Sequence, residues 1–150
     1  MKTFSSIAEF AAAEGTDLGT TEWLTVDQKR IDTFAEATGD HQWIHVDPEK
    51  AAAGPFGTTI AHGLLTLSLL PIFVHQLYSV DGVAMAINYG LNKVRFITPV
   101  PAGSRLRASA IVGPVAQVSG GVQAQINVTI ELEGAAKPAC IAESIVRLIG

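Results

Sequence analysis

The segment from Ile60 to Leu77 constrains the fold more than any other. Its residues are apolar nearly all round a helix. A helix with no polar face has no side to turn to water, so the rest of the chain must wrap it. It does not read as a membrane span, which needs ~20 mainly apolar residues. Here His62, Gly63, Thr66, Ser68, Pro71 and His75 interrupt the run. Pro71 is expected to bend the helix or end its regular part. From Val83 onward the hydrophobic period changes to two, and strands take over. Val83, Met85, Ile87, Tyr89 and Leu91 share one parity, while Val94 and Phe96 carry the other. That switch predicts a bulge near Asn92 and Lys93. Leu106, Ala108, Ala110 and Val112 alternate with Arg105, Arg107 and Ser109, up to the interruption at Gly113-Pro114. Val122, Ala124, Ile126, Val128, Ile130 and Leu132 alternate with polar residues and predict a half-buried strand. After a turn at Gly134, Ala139 to Ile149 reads as a last strand, apolar on both faces apart from Glu143, Ser144 and Arg147. Strands joined by turns are antiparallel. The expected class is α+β, a curled antiparallel sheet around one long central helix.

The first half of the chain reads as helices. Phe4, Ile7, Ala8 and Ala11 have helical spacing, Ser6-Ile7-Ala8-Glu9 has the form of a capping box, and Gly15 should end the turn. Residues 1–20 are therefore expected to be a helical extension. The same grammar recurs at Thr25-Val26-Asp27-Gln28, ahead of an apolar face of Ile31, Phe34 and Ala35 and a stop at Gly39. Asp47-Pro48-Glu49 reads as a third helix start. At 150 residues the chain is expected to be one domain, 1–150.

Only 16% of residues are charged, against roughly 25% in an average globular protein. Much surface must therefore leave water, inside the domain or between subunits. The formal charge of −4 argues against nucleic-acid binding, which needs a basic face to displace counterions. Lys2 is a lone early positive charge and Glu9 interrupts the first apolar stretch, so no signal peptide is expected. Cys140, the single cysteine, suits a reducing compartment. These features predict a soluble cytoplasmic protein with no membrane partner.

Ionisable groups concentrate between Gly39 and Asp47. Asp40 and His45 can both hydrogen-bond one water, so that one group deprotonates it while the other donates a proton. Two plainer roles stay open: Asp40 also fits a turn after Gly39, and His45, between Ile44 and Val46, fits a hydrogen-bonded core histidine. Asp40, His41, His45 and Asp47 are metal-binding types, but Gly39 and Pro48 press the segment toward loop geometry, and no metal is expected.

Gly39-Asp40-His41-Gln42-Trp43-Ile44-His45, five residues, then Ala51, resembles the hydratase motif of the MaoC-like (R)-specific enoyl-CoA hydratases. The usual form is G-D-x-N-P-hydrophobe-H, five residues, then Ala or Ser. Ile60-Ala61-His62-Gly63-Leu64-Leu65-Thr66 is similar to the start of that family's central helix, and Asn88 to Phe96 and Pro99 to Gly103 to its next strand and turn. The Gln-Trp form is similar to a branch with mycobacterial single-domain hydratases and nodulation protein N. The resemblance runs from about Thr21 to the C-terminus. It implies a hotdog fold, edge-to-edge homodimers, and reversible hydration of a trans-2-enoyl-CoA to an (R)-3-hydroxyacyl-CoA. By motif position Asp40 and His45 are the catalytic dyad, and the Gly63 N–H would bond the thioester oxygen. Such an amide suits an oxygen that gains charge in the transition state.

Gln42 stands where Asn is usual and Trp43 where Pro is usual, so both are candidate substrate contacts that bear on acyl length. Trp43 equally fits core packing beside Phe56. His62, Tyr89 and Asn92 are further candidate substrate contacts, His62 also as a hydrogen-bonder at the helix entry. Lys93, Arg95, Arg105 and Arg107 fit phosphate contacts or a merely solvated strand face. No cofactor is implied, since coenzyme A enters only within the acyl-CoA substrate. The rivals are an acyl-CoA thioesterase on the same fold and a non-catalytic acyl-CoA or acyl-carrier binding module.

Overall fold

A computed structural model describes residues 1–150. The first part carries β1 (Lys2–Phe4), α1 (Ile7–Ala11), β2 (Asp17–Thr20), β3 (Leu24–Val26), α2 (Gln28–Thr38), α3 (Trp43–Val46) and α4 (Pro48–Ala52). The second carries α5 (Gly63–Ser68), α6 (Leu70–Leu77), β4 (Tyr78–Val80), β5 (Met85–Phe96), β6 (Ser104–Val118), β7 (Gly121–Leu132) and β8 (Cys140–Ile149). The main sheet has the order β2-β6-β7-β8-β5, with β3 also paired to β6, and every pairing in it is antiparallel.

Period-two alternation explains the sheet. On β7, Val122, Ala124, Ile126, Val128 and Ile130 are all buried, and the residues between them are not. On β6, Leu106, Ala108, Ala110 and Val112 are buried in the same way. These faces share one apolar cluster with Leu65, Leu69, Leu70, Phe73 and Leu77 of the α5–α6 run. Full burial of a side chain such as Phe73 or Leu77 contributes about 1.5–3 kcal/mol, so this contact dominates the core. A curled antiparallel sheet around a central helical run is the hotdog arrangement expected from the sequence.

Four local expectations need correction. The central helix divides at Leu69 into α5 and α6, an interruption expected at Pro71, which lacks the N–H that would continue the ladder. It is not enclosed all round, however: Leu64 is 60% exposed and Ile72 40%. On β5 the apolar parity up to Tyr89 faces away from the helices. Met85, Ile87 and Tyr89 are exposed on the outer side, Ala86 and Asn88 line a groove against Leu70 and Val74 of α6, and Leu91, also exposed, lies on that groove side beside Leu67 and Leu70. Register irregularities occur between Leu91 and Val94, as expected, and also between Asn88 and Gly90. The last strand is not an edge, since β8 lies between β7 and β5.

The fourth correction concerns residues 1–20. They hold one short helix between two strands, not a helical extension. β1 pairs in parallel with β4, and β2 joins the main sheet. Phe4 and Phe10 are buried edge to face at 5.2 Å, and Phe10 stacks on Tyr78 at 5.4 Å. That aromatic burial overrides the polar look of the segment. Ser6 caps α1 as expected, but Glu9 reaches back to the Ser5 amide and hydroxyl, both at 2.6 Å, rather than to Ser6. Those bonds hold the Glu9 carboxyl below its usual range. For α2 the cap is Asp27, not Thr25, and Gly39 ends the helix at φ +78° as expected. Asp47 caps α4.

Candidate active site

The left-handed turn at Gly39 reverses the chain after α2 and puts Asp40 on a short loop ahead of α3. Asp40 Oδ1 accepts the Gln42 N–H at 3.3 Å, so the turn role weighed for Asp40 is present too. His45 lies on α3 and is 7% exposed. Its Nδ1–H donates to the Ile60 carbonyl at 2.7 Å. A neutral imidazole carries one N–H, so this bond leaves Nε2 as an acceptor. The Ile60 N–H returns a bond to the Ile44 carbonyl at 3.0 Å, which pins α3 to the segment that leads into α5. Gln28 of α2 braces the same point. Its Nε2 donates to the His45 carbonyl at 2.7 Å, and its Oε1 accepts from the buried Thr59 hydroxyl.

His62 immediately precedes α5 and stacks on His45, ring centroids 3.8 Å apart and 24° between planes. A carboxylate oxygen of Asp40 and one ring nitrogen from each of His45 and His62 lie within 4.8 Å of one another. Two hydrogen bonds of about 2.8 Å meeting at a tetrahedral water span about 4.6 Å. The Asp40–His45 spacing therefore suits one shared water. It suits a metal poorly: a cation placed between two stacked rings lies out of plane for at least one lone pair.

The first hydrogen bond of α5 runs from the Thr66 N–H to the His62 carbonyl at 3.2 Å, so the Gly63 amide precedes it with no acceptor within the helix. A cavity of about 260 Å³ lies alongside, and His45 and Gly63 both line it with Ile60, Thr66, Phe96 and Val100. The Phe96 ring covers Gly63 so closely that a Cβ there would stand 2.8 Å from it. One cavity wall thus carries an imidazole acceptor and a helix-start amide, and Asp40 is within a water's reach of the imidazole. The arrangement can hold a water, take its proton and bind a nearby oxygen that gains charge.

Other candidates fall elsewhere. Trp43 packs on Gly54, where a Cβ would meet its ring at 2.9 Å, and lies under Lys50, rather than beside Phe56 or in the cavity. Gln42 is exposed. Tyr89 is 55% exposed with the Arg147 guanidinium 3.5 Å above its ring, and Asn92 donates to Gln125 at 2.9 Å. Both lie on the outer side of the sheet, Tyr89 under Arg147 and Asn92 beside Gln125. The His62 side chain bonds the Asp40 carbonyl rather than the helix entry, and it is buried. Arg105 and Arg107 pair with Glu133 and Glu131 beside Trp23, which leaves them to a solvated strand face. Sequence reasoning missed Gln28, Thr59, Phe96 and the Ile60 carbonyl. Only the motif at Ile60 to Thr66, which contains Ile60 and adjoins Thr59, and the stretch Asn88 to Phe96, which ends on Phe96, hinted at them.

A family model described as MaoC like domain matches residues 9–133. The 3-hydroxyacyl-thioester dehydratase Z of Mycobacterium tuberculosis (strain ATCC 25618 / H37Rv) is 62% identical over 150 residues, covering 99% of each chain. Nodulation protein N of Rhizobium leguminosarum bv. viciae is 45% identical over 144 residues, covering 93% of this chain and 89% of that protein. Among solved structures, the (R)-hydratase from A. caviae involved in PHA biosynthesis superposes with a TM-score of 0.74 at 24% identity, covering 90% of this chain and 96% of that one. No helix is long and apolar enough to cross a membrane.

Proposed function

Because the chain belongs to the MaoC-like dehydratase family, we propose that it catalyses the reversible hydration of a trans-2-enoyl-CoA to an (R)-3-hydroxyacyl-CoA. The observation that carries this is the Asp40 carboxylate within a water's span of His45, beside a cavity that also presents the Gly63 amide. The 62% identity to a 3-hydroxyacyl-thioester dehydratase supports the class of reaction.

The chemistry follows from the hydrogen bonds. Asp40 accepts one O–H of the water and aims it. His45 Nε2, made an acceptor by the Nδ1–H bond to Ile60, takes the other proton as the oxygen bonds to C3 of the substrate. The C2–C3 double-bond electrons move toward the thioester, whose oxygen gains charge and accepts from the Gly63 N–H. The imidazolium then returns its proton to C2. Water has added across the double bond and both groups regain their starting states. No metal or redox cofactor takes part.

The test is loss of enoyl absorbance with crotonyl-CoA and longer enoyl-CoAs, with the product's stereochemistry read on a chiral column and free thiol measured in parallel. Formation of (R)-3-hydroxyacyl-CoA without thiol release is the expected result. Thiol release would mean attack at the carbonyl, hence a thioesterase. Binding without turnover would mean an acyl-thioester binding module. Chelator should leave the rate unchanged.

A further inference from the structure

His62 is the buried titratable group of the cluster that this chemistry leaves idle. Its imidazole is 2% exposed. Three contacts define it. Nε2–H donates to the Asp40 backbone carbonyl at 3.0 Å, one face stacks on His45, and Phe34 packs against the ring at 5.0 Å. With Nε2 as the donor, Nδ1 is an acceptor, and it is buried with no partner. A buried acceptor without a donor costs stability. A phenyl ring would fill the same stack without that cost. What a phenyl ring cannot supply is the N–H to Asp40. For packing, then, imidazole is a poor choice, and its distinguishing contribution is that one bond.

Asp40 needs such a bond. It is exposed on a loop, and its other hydrogen bonds stay within its own turn, to Thr38 at 3.4 Å and from Gln42 at 3.3 Å. The tie to His62 alone spans distant chain. We infer that His62 is a positioning residue, which sets the Asp40–His45 separation by binding the backbone of one and stacking on the ring of the other. This rests on the hydratase reading, because it is the shared water that makes the separation matter.

The experiment measures kcat, KM and thermal unfolding for His62→Phe and His62→Gln, each also combined with Asp40→Asn. In His62→Phe, kcat should fall about 10- to 100-fold, the range for a misplaced reacting group. KM should stay within about 3-fold, since no substrate contact is removed. Its unfolding midpoint should be no lower than wild type, because the unpartnered nitrogen is gone. His62→Gln, whose amide nitrogen can take the place of Nε2, should recover most of the lost kcat. With Asn at position 40, His62→Phe should cost little more, as expected of residues that act through one group. His62→Leu, smaller and also without a donor, carries the same kinetic expectation should the phenylalanine variant fail to fold. Wild-type kcat in folded His62→Phe or His62→Leu would overturn the inference. So would equal losses in the Gln and Phe variants, or a full additional loss beside Asp40→Asn. A wild-type protein that hydrates no enoyl thioester would instead overturn the hydratase reading, and this inference with it.

Discussion

Asp40 and His45 are close because five positions of chain, a left-handed glycine and one turn of helix put them there. General acid–base groups typically contribute ~10²–10⁴-fold, so Asp40→Asn and His45→Gln should each lower hydration by about that much. In the proposed mechanism both groups act on one water, so the double variant should be little worse than the poorer single one. Near-normal turnover by either folded single variant would end the dyad mechanism. Gly63 makes a second test. A side chain there meets the Phe96 ring at 2.8 Å, but Phe96 is 48% exposed and free to swing outward. Gly63→Val should therefore fold yet lose turnover, its methyls and the displaced ring crowding the thioester; near-normal hydration would remove Gly63 from the mechanism. The dyad was legible because its two members are neighbours in sequence. The groups that orient it were not: the Ile60 carbonyl, Gln28 and His62 reach it across 15, 17 and 22 positions, and no local pattern encodes those contacts.

Elements were legible wherever burial follows a single period. β6 and β7 alternate as read because one face meets the helices and the other meets water. β5 misled because its apolar parity up to Tyr89 faces away from the helices. The central helix misled because apolar residues at Leu64 and Ile72 look like core until the sheet is seen to cover one side only. The β1–β4 pair was invisible, since three-residue strands show no periodicity. Two predictions belong at this scale. At Gly121, the first residue of β7, a Cβ would lie 1.9 Å from the Leu148 carbonyl oxygen of β8. Gly121→Ala must push backbone from backbone, at a cost on the order of 1–3 kcal/mol, measurable as a lower urea midpoint with little change in activity. The second concerns alkaline pH. Burial raises the Cys140 thiol of β8 from 9.0 to about 11 and the Tyr78 phenol of β4 from 10.0 to about 12. Above about pH 9 the unfolded chain sheds these protons before the folded one does, so it binds fewer, and stability falls as pH rises. The unfolding midpoint should drop through pH 9–11. Cys140→Ser should flatten the part of the slope that begins near pH 9, and a slope identical to wild type in that variant would remove Cys140 as its source.

At the scale of the molecule, what stands out is the edge formed by β5. It is a twelve-residue strand with β8 on one side and no strand on the other. Met85, Ile87, Tyr89 and Leu91 stand exposed along it, in a chain with only 16% charged residues. An open apolar edge of that length is a template for another strand, and soluble proteins usually blunt such edges with charge or proline. Lys93 and Arg95 occupy only its far end, and no proline falls within it. The last strand, Ala139 to Ile149 by the sequence pattern, is apolar on both faces, but β8 is interior to the sheet. The exposed strand is β5, so two copies should join β5 to β5, antiparallel about a two-fold axis, into one continuous sheet. Light scattering at micromolar concentration should give twice the chain mass. A two-fold axis brings each β5 substitution near its own copy, so Ile87→Lys with Leu91→Lys should place like charges together and shift the mass to that of one chain. Because both side chains are already exposed, at 37% and 45%, circular dichroism should keep its native shape. A wild-type chain that stays monomeric at that concentration, or a folded double-lysine variant that stays dimeric, would show that β5 is not the joining edge.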